Sequence, residues 1–504
     1  MKKKKGKSFL RSKELFIILG VFLSLYMLSS CDWVKELLEN QAPTACFTMD
    51  PESGLFPLTV IFNASCSEDP ENNISTYTWD FGDGDSGTGM SVSHIFTSPG
   101  TYTVQLTVSD DEGLKNATTD TVDVTRVKWI YEAEKPVYYS TPAVASDGTV
   151  YFATGIYLHS EFGSLHALYP DGTLKWSRDL ENNGYSPSIG SDGTVYVQDS
   201  MAILYAFTST GTLKWKHNTN NCFLDVGKRT PAIGNDGAIY FGGLCLEAVY
   251  TNGTLKWSND DVAIVTTSPI IGPDRSIFVI TGRGEETLYK VNRVNGNIIW
   301  QSTIEFSGEH FNAFSAPSID STGTIYFGAE MSYPNYGGYV YAVRSNGTLK
   351  WRYFVAERYI RSTPTIGPDG TIYAGTKVGN DHTSKLIALY HNGTLKWEYI
   401  VESIHEWDDI YCTPTIGADG TIYFGAETGY LYALNQSGTL LWQQELQHGN
   451  NWSSPAITTD GTLYIGTIYS DWTGNLYAIK TSSLGLAASV WPKFHHDNKN
   501  TGRY

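Results

Sequence analysis

Charged side chains are scarce in this chain: Asp, Glu, Lys and Arg make up only 17% of its 504 residues. Long apolar runs at helical spacing are few as well, which excludes a coiled coil or a helical bundle. There is no Gly-rich nucleotide loop, no zinc-spaced Cys and His set, no Ser-His-Asp signature and no pair of adjacent cysteines. Basic residues are depleted beyond the N-terminus, with 28 against 51 acidic residues from position 31 onward. A phosphate backbone repels such a surface, so nucleic acid is excluded as a partner. Disorder is not the main state, because the 41% of hydrophobic residues is enough for sizeable cores.

What the chain does have is glycine and aromatic rings: 49 Gly, 21 Phe, 14 Trp and 33 Tyr. With abundant Thr and Val, this composition predicts an all-β protein with many turns. At about 100–200 residues per domain, the length corresponds to two to four domains. The seven basic residues at Lys2, Lys3, Lys4, Lys5, Lys7, Arg11 and Lys13 precede an apolar stretch from Leu15 to Leu28. That stretch is too short to span the roughly 30 Å hydrocarbon core and falls in the signal-peptide range. It ends in Leu28-Ser29-Ser30-Cys31, which resembles the bacterial lipobox. The resemblance implies cleavage before Cys31 and lipidation of that residue. Residues 1–30 are therefore expected to be a lipoprotein signal peptide and 31–41 a tether. The mature protein is expected outside the cytoplasm, membrane-anchored, in the periplasm or at the cell surface. Of the five remaining cysteines, Cys46 and Cys66 lie on neighbouring expected strands and form the first candidate disulfide, ahead of Cys222 with Cys245.

From 42 to 125 short alternating segments recur between turn clusters: Leu58 to Phe62, Ser75 to Phe81, Ser91 to Phe96, Thr101 to Ser109 and Thr118 to Thr125. Strands of this length and spacing predict a β-sandwich of immunoglobulin-like size. Trp79-Asp80-Phe81-Gly82-Asp83-Gly84, His94-Ile95-Phe96 and Pro99-Gly100-Thr101-Tyr102 resemble a PKD domain over its whole length. Trp79 and Phe81 alternate with Asp80 and so enter the core together. Asp80, Asp83 and Asp85 lack the ligand count of a calcium loop and read as turn carboxylates, with no metal expected. Such domains are spacers or contact modules, and the resemblance implies no catalysis.

From 126 to 504 the chain repeats itself. Trp129, Trp176, Trp215, Trp257, Trp300, Trp351, Trp397, Trp442 and Trp491 bound eight intervals, each with one Pro, an Asp-Gly-type turn and further alternating strands. Four short strands per 40–50 residues, eight times over, predict an eight-bladed β-propeller. The strand at Trp129 is expected to complete the last blade, with the segment around Trp491 competing for that place. Ala167, Gly172 and Trp176, like Ala433, Gly438 and Trp442, resemble the tryptophan-docking repeat of quinoprotein-type propellers, with Lys290 in place of Ala in the fourth repeat. The tail Trp491-Pro492-Lys493-Phe494-His495-His496-Asp497 resembles a segment flanking such propellers in exported proteins. Its adjacent histidines point apart on an extended segment and are not expected to hold a metal.

Tight Asp-Gly and Asn-Gly turns share one face of the predicted disc, and loops of variable length share the other. Function belongs on the variable face. Trp407, Trp452 and Trp472 are the expected ligand anchors there, with Tyr411, Asp408 and Asp409 beside them. Aromatic rings among carboxylates suit a polysaccharide or an envelope protein. The quinoprotein resemblance carries an alternative, a calcium-dependent dehydrogenase using pyrroloquinoline quinone. Those enzymes stack the quinone on adjacent cysteines or a substitute, and this chain has no such pair. No catalytic residue and no cofactor is therefore assigned. The reading is a non-catalytic envelope lipoprotein whose PKD-like domain presents a binding or scaffold propeller.

Overall fold

A computed structural model describes residues 40–504, except 138, 156–161, 220–228, 263, 282–286, 304–310, 313–314, 332–336, 357, 378–382, 403–408 and 447–452. The leader and Cys31 lie outside the described residues. Every regular element among the described residues is a β-strand, and none of them forms a helix long and apolar enough to cross a membrane. The chain divides into two compact units, with the boundary between Arg126 and Val127.

The first unit is a sandwich. Thr48–Asp50, Leu58–Asn63 and Ser91–Phe96 form one sheet; Ser53–Leu55, Lys115–Thr125, Gly100–Asp110, Ile74–Asp80 and Ser86–Thr88 form the other in that spatial order. Leu58–Asn63 alternates strictly between buried and exposed, as a half-buried strand must. Val60, Phe62, Trp79, Phe81, Val104 and Leu106 fill the space between the sheets. The Trp79 indole is satisfied by the Gly89 carbonyl at 2.9 Å. Cys46 and Cys66 are joined, with Cα atoms 5.3 Å apart. The three-residue strands at 48–50, 53–55 and 86–88 are too short to carry a period-two signature.

The second unit is the propeller: eight sheets, seven with their strands in sequence order and the eighth completed from the other end of the unit. Blade one consists of Ala143–Val144, Val150–Thr154, Ser164–Leu168 and Leu174–Asp179. Blade eight takes Ala456–Ile457, Thr462–Gly466 and Gly474–Lys480, and its outer strand is Val127–Ala133 from the other end of the unit. Ala478 faces Trp129 across that junction, just as Ala167 faces Trp176 within blade one. Ring closure therefore belongs to the strand at Trp129.

Seven of the eight outer-strand tryptophans lie on the turn glycine of the next blade. A Cβ at Gly172 would come within 2.6 Å of the Trp129 ring, and the backbone there has φ +88°, so only glycine fits. The Trp129 indole donates to the Pro170 carbonyl at 2.9 Å, and six further tryptophans from Trp176 to Trp397 repeat this bond. Trp442 differs because the third and fourth strands of blade eight are not joined by a turn. It packs instead in a cluster with Val127 and Leu486.

Trp491 sits with the tail on the axis. The inner strands of six blades donate their last backbone N–H to tail carbonyls: Val144 to Asn498, Ile189 to Lys499, Ile233 to Thr501, Ile271 to Gly502, Ile366 to Trp491 and Ile416 to Pro492. Asn498 Nδ2 donates to Ile457 of a seventh blade at 2.6 Å. Lys493, buried within this plug, donates to the carbonyls of Phe494 and Asp497 and to Asn500 Oδ1. His495 has Asn500 and Pro269 carbonyls at 2.7 and 3.2 Å from its two ring nitrogens. Both nitrogens are thus occupied within the protein.

Candidate functional site

The inner strands run from the variable face toward the tight turns, so the connections that lead into each blade and the loops after each second strand share the variable face. Trp407, Asp408 and Trp452 lie outside the described residues. Trp472 is on this face, in the blade-eight loop between Gly466 and Gly474; it is 43% exposed and has φ +64°. Tyr411 and Asp409 are buried, at 6% and 1% exposure, rather than displayed. The reason is local: Ile410 N–H donates to Thr376 O and Glu427 N–H to Asp409 O, which draws this connection under its neighbours.

Those bonds place Asp409 and Tyr411 in a charged series that crosses blades five, six and seven. The residue following the second strand's Gly-Ala or Gly-Thr pair is Glu330 in blade five, Lys377 in blade six and Glu427 in blade seven. Blades one, two, three and eight carry Gly155, Ser200, Leu244 and Ile468 at that position. Glu330 pairs with Arg361 Nε at 2.9 Å, and Arg361 Nη1 donates to the Tyr411 hydroxyl at 3.2 Å. Lys377 Nζ is 4.0 Å from Asp409 and lies over the Tyr359 ring. Glu427 accepts the Asp409 N–H at 3.1 Å. Burial works against the Arg361 charge, but Glu330 and then Tyr411 outweigh it and hold the guanidinium above its ordinary value. Burial, then the Asp409 charge, pushes the Tyr411 phenol well up, with Arg361 pulling the other way.

The result is a preorganised polar patch with alternating charge and two tyrosines, Tyr359 and Tyr411, suited to oriented hydrogen bonding with a polar partner. Position within the repeat was the signal for it, since Gly-Ala-Glu occurs at 328–330 and again at 425–427. The patch does not fit a quinone with calcium. Glu330 and Asp409 are engaged by Arg361 and Lys377, Glu427 by the Asp409 amide, and the nearby thiol of Cys412 is single and bonded to Gly425.

In the sandwich, Asp80 and Asp83 each accept a backbone N–H two residues on, as turn carboxylates do. His94 Nε2 is 2.7 Å from Asp83, and with Asp85 their ligand atoms lie within 4.8 Å of one another. Partial burial works the other way, yet the hydrogen bond from His94 holds the Asp83 carboxyl below its ordinary value.

Known proteins resemble the chain in two stretches. Residues 40–126 match the PKD domain family, and residues 122–259 and 245–435 match the family described as outer membrane protein assembly factor BamB. Among solved structures, BamB from Moraxella catarrhalis superposes with a TM-score of 0.51 at 14% identity, over 71% of this chain and all of that one. The quinohemoprotein alcohol dehydrogenase of Comamonas testosteroni gives 0.53 at 13% identity, over 72% of this chain and 78% of that one. Both likenesses are of fold. A microbial collagenase of Vibrio alginolyticus is 26% identical over 193 residues, 33% of this chain and 23% of the collagenase. The chain thus spans about a quarter of that relative. With well over half of its length matched by one family, the protein belongs to the outer membrane protein assembly factor BamB family and carries a PKD domain ahead of its propeller.

Proposed function

We propose that the protein is a non-catalytic binding or scaffold module of the cell envelope, anchored by lipid at Cys31, whose variable face holds an envelope protein. The observation that carries this reading is the charged series at Glu330, Lys377 and Glu427, confined to three consecutive blades and locked by Arg361, Tyr411 and Asp409. A patch in which charge is already paired and oriented recognises a partner by complementarity at low ordering cost. Trp472 supplies an exposed ring on the same face, and Trp407 and Trp452 are the further anchors read from the sequence. Family membership supports the scaffold reading, and the PKD domain acts as spacer or contact module. A polysaccharide is the other ligand these rings suit.

Affinity capture tests this. The full chain in neutral detergent is immobilised and exposed to envelope extract, beside a Lys377→Ala variant and a Trp407, Trp452 and Trp472→Ala triple variant. An envelope protein retained by the wild type and lost by both folded variants is expected. Equal retention by all three would refute the variable face as the binding surface. Thermal unfolding with added quinone and calcium checks the dehydrogenase alternative; an unchanged midpoint is expected, because ligands that bind only the native state raise it.

A further inference from the structure

The eight repeats allow each blade to be compared with the other seven, and blade four departs from them on the tight-turn face. The turn between first and second strands carries a left-handed glycine in seven blades: Gly148, Gly193, Gly237, Gly323, Gly370, Gly420 and Gly461, with φ between 73° and 81°. Blade four has Arg275 there, forced into the same turn with φ +66°. Its N–H still bonds Gly272 O at 2.9 Å, as Gly148 bonds Ala145 O in blade one. A long side chain held in this region is strained, and strain kept where seven sister turns avoid it points to a use for the side chain.

That side chain does not stand alone. Arg275 lines a pocket of about 460 Å³ together with Arg293, from the next turn of blade four, and Arg503 of the tail. The position of Arg293 is held by Pro170, Ser209, Thr251, Ser345, His391 and Gln436 in other blades. The pocket's carboxylate, Asp236, is already shared between Lys256 at 2.8 Å and Arg293 at 3.3 Å. The neighbouring Asp274 is taken by Lys290 at 2.7 Å, and Lys290 itself replaces the alanine of the other repeats. Corners elsewhere hold one lysine to one aspartate, as with Lys175 and Asp147 or Lys396 and Asp369. Among the described residues, no carboxylate lies within ion-pair distance of Arg275 or Arg503. In a chain of formal net charge −17, five cationic side chains at this corner, Arg275, Arg293, Arg503, Lys256 and Lys290, stand against the two carboxylates of Asp236 and Asp274.

We propose that this pocket, on the face opposite the charged series, binds a phosphoryl group. A phosphate monoester carries about −1.5 to −2 charge at neutral pH, which matches the two guanidiniums that have no carboxylate, and its oxygens accept the forked donors of arginine. The pocket has room for the sugar or glycerol such a group is attached to.

Calorimetric titration of the full chain in neutral detergent, at low ionic strength, with inorganic phosphate, glucose 6-phosphate and glucuronate tests the assignment. Saturable one-to-one binding of both phosphates is expected, with glucuronate at least tenfold weaker. The Arg275→Gly variant restores the turn of the sister blades, so it should unfold at a higher temperature than the wild type while binding phosphate at least tenfold more weakly. Arg293→Ser should weaken binding to a similar degree. Absence of saturable phosphate binding, equal binding of glucuronate, or phosphate binding unchanged in both folded variants would overturn the proposal.

Discussion

In five blades, a small side chain two residues before the proline clips the approach to the inner strand to the middle of the second strand. Ser140 accepts the Ala153 N–H, Ser315 the Gly328 N–H and Ser362 the Gly375 N–H, always thirteen residues on. Cys412 occupies this position in blade seven, its sulfur 3.0 Å from both the N–H and the carbonyl of Gly425. The thiol thus stands in for a hydroxyl, and Cys412→Ser should leave stability within about 1 kcal/mol of the parent. Ser362→Ala, by contrast, leaves a buried Gly375 N–H without its acceptor and should cost about 1–3 kcal/mol in denaturant unfolding. A loss for Cys412→Ser as large as that for Ser362→Ala would contradict this equivalence. Steric requirements are what the sequence displays best at this scale: Ala opposite Trp, Gly beneath Trp, Trp79 and Phe81 on one face. The partners of Arg361 are not displayed, because Glu330 and Tyr411 lie 31 and 50 residues away and only the blade geometry joins them.

Between elements, the docking of each tryptophan on the next blade's glycine can be separated from the glycine's own conformational role. Gly438 has φ +83°, and a Cβ there would sit 2.7 Å from the Trp397 ring. Gly193 has nearly the same φ, +79°, but its Cβ would meet nothing within 4 Å. Gly193→Ala should therefore cost only the left-handed penalty of about 1 kcal/mol. Gly438→Ala adds overpacking against an indole and should cost about 2–4 kcal/mol. Equal losses in chemical unfolding would mean that the docked ring yields freely and does not lock the blades. The sequence announced these junctions because the same three residue types recur on a fixed spacing. It was silent on the two-residue inner strands and the short strands of the sandwich, which hold too few residues to show a period.

For the propeller as a ring, both ends of its chain are fastening devices, and only one was legible. The strand at Val127–Ala133 bears the same Trp as its sisters and so declares its place, whereas the tail binds six blades through backbone groups that leave no pattern and a seventh through the Asn498 side chain. At the closing junction His166 of blade one stacks on Phe152, with the Tyr131 ring of the closing strand at 5.9 Å. Burial lowers its pKa to about 4, with Asp179 opposing. The unfolded chain takes up this proton near pH 6.5, so the folded ring keeps the full contribution above that pH and loses it as pH falls toward 4. Allowing for partial solvent access, the loss should be about 1–3 kcal/mol. His166→Phe keeps the ring stack and removes the proton. Its unfolding midpoint should therefore fall less than that of the wild type between pH 7 and pH 4.5, and parallel curves would place the acid sensitivity of the ring elsewhere.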